Sequence, residues 1–270
     1  MQKRVLTAVV GVPILFGLLY AGGYFLFAAC VVLSAVGLFE YAGAMNVQLE
    51  RKISILFIEI LGLLITVVMK LDYYALMPML MLAFIAVFCY EIIQGIHGKQ
   101  DVFRGILTFF GLVYIPVLFG HLMLFENLHD GNYYLWMVFI IAFSTDTAAY
   151  FVGMAIGKTK LAPEISPKKT IAGAVGGLVA ASLLTTLYGL LLTGVFHQSL
   201  PIYSYAVIGF VGSVAGQCGD LMASMIKRKM GIKDFGKCLP GHGGILDRFD
   251  SILFIIPLVF VFTNYALGMA

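Results

Sequence analysis

Charge is scarce in this chain. Asp, Glu, Lys and Arg together make up 11% of its 270 residues, where an ordinary soluble domain carries about 25%. With 61% hydrophobic residues spread from end to end, a soluble globular fold is excluded, and so is a soluble enzyme hung on one anchor. Cysteine is also sparse. Cys30, Cys89, Cys218 and Cys238 show no CxxC spacing, and the first two fall inside apolar runs, so they read as free thiols rather than as a redox or zinc site. The chain has no internal repeat either, and so lacks the matching half-repeats that many transporters carry.

What is present is a series of apolar runs, rich in the chain's 14 Tyr and 22 Phe. They divide into nine spans at about 5–21, 24–44, 53–69, 74–93, 105–125, 133–156, 171–194, 202–226 and 251–268. Each is near the ~20 residues that a helix needs to cross the hydrocarbon of a bilayer. Met1–Arg4 followed by an apolar run is similar to the start of a signal peptide, but nothing soluble follows, so an uncleaved first span is expected. The fold class is therefore all-α, a polytopic integral membrane protein with about nine transmembrane helices. It divides into an N-terminal set of spans over 1–130 and a C-terminal set over 131–270 with loops at 157–170 and 227–250.

The basic residues test that division. Nine spans put Lys3, Arg4, Arg51, Lys52, Lys99, Arg104, Lys158, Lys160, Lys168, Lys169, Lys227, Arg228, Lys229, Lys233, Lys237 and Arg248 on one side, leaving only Lys70 opposite. Positively charged loops stay in the cytoplasm, so the N-terminus and the large loops are expected there.

Acids inside the spans are costly and mark either function or a partner. Glu40, Glu59 and Glu91 sit near the cytoplasmic ends of their runs, where snorkelling or pairing with a nearby basic residue is the expected reading. Asp146 and Asp220 lie deeper, in the polar settings Ser144-Thr-Asp-Thr147 and Gly216-Gln-Cys-Gly-Asp220, which suit a water-filled cavity.

The long polar segment is Ser224–Asp250, SMIKRKMGIKDFGKCLPGHGGILDRFD. Asp220, Ser224 and Lys227, at i, i+4 and i+7, project from one helix face that runs into it. Pro240-Gly241-His242-Gly243-Gly244 forces a loop, because proline fixes φ and glycine admits backbone that side chains forbid. Asp247 and Asp250 then fall on one turn if the last helix begins near Leu246. Acids at a helix start complement its dipole, yet two of them behind a Gly-rich basic loop suit a hard cation such as Mg²⁺, which takes one or two carboxylates plus substrate phosphates. A second basic cluster, Ser166-Pro-Lys-Lys-Thr170, stands before the seventh span. Ser166 and Thr170 can cap that helix, while Lys168 and Lys169 serve either as topology markers or as an anion site. Gly212 and Gly216 give a GxxxG spacing that permits close helix contact.

Ser224–Asp250 resembles, position for position, the signature of the phosphatidate cytidylyltransferases, S-x-x-K-R-x₄-K-D-x-G-x₂-L-P-x-H-G-G-x-x-D-R-x-D. Ser224, Lys227, Arg228, Lys233, Asp234, Gly236, Leu239, Pro240, His242, Gly243, Gly244, Asp247, Arg248 and Asp250 fill every fixed place. Ser166–Thr170 with Gly173, Gly176 and Gly177 resembles the family's SPKKT-x-x-G-x-x-G-G segment, with Ala172 where Glu is expected. Ser144–Thr147 is similar to the family's D-x-x-A-Y region. The resemblance covers the C-terminal half; residues 1–130 match only as apolar spans.

The resemblance implies the reaction of CTP with phosphatidic acid to give CDP-diacylglycerol and pyrophosphate, dependent on Mg²⁺ with room for a second cation. It assigns Asp220, Asp247 and Asp250 to metal, with Asp146 as an outer candidate, and counts Lys227 among the catalytic groups. Lys227, Arg228, Lys233 and the 240–244 loop, including Gly243 and Gly244, would hold the triphosphate or the leaving pyrophosphate, and Lys168 and Lys169 either substrate's phosphate. Ser224 would join the substrate site. Arg248 would bind phosphatidate or pair with the aspartates, and His242 would donate to phosphate or order its loop. A homodimer in a bacterial inner membrane is implied, with membrane lipids as partners and no nucleic acid. The alternatives are a CTP-dependent lipid kinase, a cytidylyltransferase for another lipid phosphate and, in a different class, an ion-coupled transporter.

Overall fold

In the computed structural model, residues 2–96, 98, 101–196, 200–239, 241 and 243–268 are described, and the side chains of 2–10 and 12 are not. Lys99, Pro240 and His242 lie outside the described residues, as do the Lys3 and Arg4 side chains.

Among the described residues nine long helices form, one for each apolar run: α1 (Gln2–Ala21), α2 (Gly23–Met45), α3 (Ile55–Leu71), α4 (Leu76–Ile96), α5 (Val102–Asn127), α6 (Gly131–Ile156), α7 (Ile171–Phe196), α8 (Ile202–Lys229) and α9 (Leu246–Gly268). Seven of them, α2 and α4 to α9, carry the length and hydropathy to cross a membrane among the described residues. α3, at 17 residues, stands at the short end of what can span. The chain is a membrane protein built of helices because each helix satisfies its own backbone N–H and C=O groups, which lipid cannot do.

α5 is not uniform. Residues Val113–Val117 form a π-helical turn around Pro116, whose ring nitrogen has no proton to donate back along the helix, so the ladder loosens there.

The chain divides into two compact units, the first Met1–Leu124 with Lys229–Arg248, the second Phe125–Arg228 with Phe249–Ala270. The first unit thus takes α1 to most of α5 together with the polar loop after α8. The loop is grouped with helices nearly 200 residues before it in sequence. In the first unit Leu38, Tyr41, Ile58 and Ile65 are fully buried. Tyr41 packs against Gly111 and donates from its hydroxyl to the Leu107 carbonyl at 2.9 Å.

A buried ion pair joins α4 to α5. Arg104 Nε donates to Glu91 Oε1 at 2.8 Å and Nη2 to Oε2 at 2.6 Å, with both side chains under a tenth exposed. The reading of Glu91 as paired with a nearby basic residue is therefore met.

The second unit holds α6, α7 and α8, whose contacts depend on small residues. A Cβ at Gly173 would meet the Ala149 carbonyl of α6, and one at Gly177 the Thr145 carbonyl. On α8, Gly212 faces Ile141 and Gly216 faces Ile255 and Ser251. The GxxxG face is thus used within the chain, and it lends no support to a dimer.

Between α6 and α7 the segment read as a loop folds as a hairpin, β1 (Lys160–Ala162) antiparallel to β2 (Ser166–Thr170), with Lys160 opposite Thr170. Thr170 Oγ1 accepts from the Gly173 amide at 3.1 Å, as expected of a cap on α7.

Arg104→Ala leaves the Glu91 carboxylate buried without its guanidinium. It is expected to cost about 3–5 kcal/mol, seen as a lower melting temperature in detergent. Arg104→Met with Glu91→Leu should recover most of that loss.

Candidate active site

The second unit contains an open cavity of about 540 Å³ between α6, the hairpin, α7 and α8. Its polar lining comes from Asp146 on α6, Lys160 on β1, Lys168 and Lys169 on β2, and Gln217 and Asp220 on α8. The expected cavity around Asp146 and Asp220 is present, with Asp146 exposed on its wall.

The acids and lysines meet in pairs. Lys169 Nζ lies 2.5 Å from Asp220 Oδ2. Ser224 Oγ donates to Asp220 Oδ1 at 3.3 Å, so the i, i+4 face read from the sequence is realised and both oxygens of Asp220 are engaged. One turn further on, Lys227 Nζ lies 3.9 Å from Asp250 Oδ2, both side chains being largely buried. Asp220 and Asp146 are within electrostatic reach of Asp250. Three carboxylates and two ammonium groups therefore belong to one charged cluster. Close approach of α8 to α9 makes this arrangement possible, because a Cβ at Gly219 would strike the Asp250 carbonyl. Arg228 is exposed and its Nε donates to the Ile165 carbonyl at 3.4 Å, which ties α8 to the hairpin.

The signature loop belongs to the first unit. It turns where glycine is needed: Gly241 and Gly243 adopt φ of 79° and 84°. The Leu239 amide donates to the Gly243 carbonyl at 2.9 Å, closing the loop on itself. α9 begins at Leu246, where the acid spacing placed it. Asp247 is buried, and its Oδ2 accepts from the amides of Phe235 at 2.8 Å and Gly244 at 3.0 Å. Lys233 and Arg248 are exposed on this loop and helix start. His242 lies outside the described residues.

One participant was misread from the sequence. Glu40 of α2 neither snorkels, being 5% exposed, nor pairs with a basic residue among those described. Its buried carboxylate accepts from the Ile245 amide through Oε1 and from the Leu246 amide through Oε2, both at 3.0 Å, capping α9 across 205 residues of chain. The amides of Gly244, Ile245 and Leu246 thus already face protein carboxylates, which narrows the loop's expected role as a phosphate cradle. The local clue was the acid itself, in an apolar run with no basic residue one helical turn away.

Among the described residues, no three His, Cys, Asp or Glu side chains converge as a metal-holding group.

A sequence model of the cytidylyltransferase family matches residues 2–266. This chain belongs to that family. The cytidylyltransferase is 32% identical over 265 residues to a phosphatidate cytidylyltransferase of Staphylococcus saprophyticus, covering 96% of this chain and 97% of that one. It is equally similar, over the same length, to the protein of that name from Staphylococcus aureus strain COL. A phosphatidate cytidylyltransferase of Bacillus subtilis is 44% identical over 149 residues, spanning 55% of this cytidylyltransferase and 54% of its relative. The family match therefore extends over residues 2–130, which the sequence signature had left as apolar spans.

Asp247→Ala in this cytidylyltransferase strands two buried amides. The expected cost is about 1–3 kcal/mol for each, read as faster tryptic cleavage at Lys233 and Lys237.

Proposed function

We infer that this chain transfers the cytidylyl group of CTP to phosphatidic acid, giving CDP-diacylglycerol and pyrophosphate. Membership of the cytidylyltransferase family and full-length similarity to phosphatidate cytidylyltransferases support the reaction. The observation that carries the site is the cavity of the second unit, lined by Lys168, Lys169 and Asp220.

The chemistry needs no strong base. A phosphate monoester is already largely ionised near neutral pH, so a phosphatidate oxygen attacks the α-phosphorus of CTP directly. The bond to the bridging oxygen breaks, and pyrophosphate leaves with its electron pair. Catalysis is then positioning and charge neutralisation. Lys168 and Lys169 are suited to hold a phosphate at the cavity, and Lys227 to stabilise charge on the transferred group. Lys169 and Lys227 are held in place by Asp220 and Asp250. Arg228, Lys233 and Arg248 add positive charge along the signature.

The donor set fits Mg²⁺. Asp220 and Asp250, with Asp146 within reach, present only oxygen, which a hard cation requires. These residues would hold the ion, which would supply Lewis-acid neutralisation of phosphate charge. Asp247 is proposed as a ligand from the sequence signature alone, its carboxylate oriented by two amides.

The charge distribution of the loops supports a cytoplasmic N-terminus and a site open to cytoplasmic CTP, in a bacterial inner membrane. A homodimer is a proposal from family resemblance.

Purified protein in detergent is expected to release pyrophosphate only with CTP, Mg²⁺ and phosphatidic acid together, and to place label from the cytosine ring in lipid. Label reaching lipid only from the γ-phosphate would mean a kinase; no turnover with any lipid phosphate would sink the enzyme reading. Asp220→Asn and Asp250→Asn should each lower turnover at least about 100-fold in protein that remains folded, and chelation of Mg²⁺ should abolish it.

A further inference from the structure

Glu40 is far in sequence from every signature residue, yet four features of the first unit converge on its carboxylate. It is buried, at 5% exposure. Each of its two oxygens accepts one backbone amide, from Ile245 and Leu246, at 3.0 Å. A Cβ built on Gly236 or on Gly244 would collide with the same carboxylate, so both strands of the loop pass directly over it. The amides it engages are among those a helix start leaves without an intrahelical acceptor.

Glu40 and Asp247 divide the work of holding this loop. Asp247 ties Gly244 back to Phe235, joining the two arms of the loop to each other. Glu40 ties the loop's exit, and the first turn of α9, to a transmembrane helix. Without it the arms could remain joined while the whole loop shifted on α2. A carboxylate is well suited to this task. It accepts two N–H groups side by side, its charge complements the positive end of the α9 dipole, and such charge-assisted bonds are about twice as strong as neutral ones. The two glycines follow from the same contact, since any side chain at 236 or 244 would lift the loop off Glu40.

We propose that Glu40 is a positioning residue for cytidylyl transfer, fixing the signature loop and the start of α9 by accepting the Ile245 and Leu246 amides. The proposal rests on the reaction inferred above. Glu40 does not touch substrate; it acts through the loop that bears Lys233, Gly243, Gly244 and Asp247. The pattern of Gly236, Gly244 and an acid some 200 residues upstream is thus one device.

The test uses the full-length protein in detergent, with Glu40→Gln and Glu40→Ala compared with wild type. Glutamine keeps one acceptor oxygen but turns an NH₂ toward the second amide, so it should lose one of the two bonds; alanine loses both. Hydrogen exchange of the peptide spanning residues 243–250 is expected to quicken at least about tenfold in Glu40→Ala, with Glu40→Gln between it and wild type. In the CTP and phosphatidic acid assay, kcat/KM should fall about 10-fold for Gln and about 100-fold for Ala, in folded protein whose helices elsewhere keep wild-type exchange. Glu59→Gln, the other acid lining the neighbouring cavity of Ala35, Phe39 and Lys237, should leave both readouts at wild type.

Unchanged exchange at 243–250 in Glu40→Ala would overturn the proposal, as would faster exchange with undiminished kcat/KM. Equal loss in Glu59→Gln would mark a general effect on the cavity and would also overturn it. A uniform rise in exchange across all helices would reduce Glu40 to a stability residue. Absence of wild-type turnover would instead overturn the reaction, a failure that the exchange data distinguish from failure of the positioning role.

Discussion

A carboxylate among apolar helices has to be matched by a cation or by N–H donors, because the surroundings offer no water to solvate it. This constraint accounts for the charged contacts between elements here. Glu91 is matched by Arg104, Asp220 by Lys169 and Ser224, and Asp250 by Lys227. Glu40 and Asp247 are matched by backbone amides. Dispersion packing of Leu, Ile and Phe fills the helix interfaces but can be satisfied in many registers. The few charges can be satisfied in very few, and so they set which helix faces meet.

The same constraint gives the two kinds of partner different consequences. A lysine held against an aspartate leaves both groups able to exchange partners when a phosphate or a cation arrives, since neither depends on backbone geometry. A carboxylate bonded to two amides is committed, because releasing it would strand buried N–H groups. Asp220 and Asp250 belong to the first kind, Glu40 and Asp247 to the second.

Small residues make the charged contacts reachable. α6 and α7 approach through Gly173 and Gly177, and α8 and α9 through Gly216 and Gly219, which brings the Lys169 and Lys227 side chains within range of Asp220 and Asp250. The π turn at Pro116 shows the opposite case, where a residue that cannot donate loosens the helix rather than tightening a contact.

The apolar run lengths alone determined nine helices, and the i, i+4, i+7 spacing of Asp220, Ser224 and Lys227 alone placed them on one face, because helical periodicity is a local property. The signature from Ser224 to Asp250 likewise carried the family, since residue types at fixed spacing are read directly. Only the tertiary structure decided that Lys169 rather than Lys168 meets Asp220, that the 157–170 segment is a hairpin, and that Gly212 and Gly216 pack inside the chain. It also decided the role of Glu40. Its partners are backbone amides 205 and 206 residues away, and a backbone N–H is the same at every position and leaves no mark in the sequence.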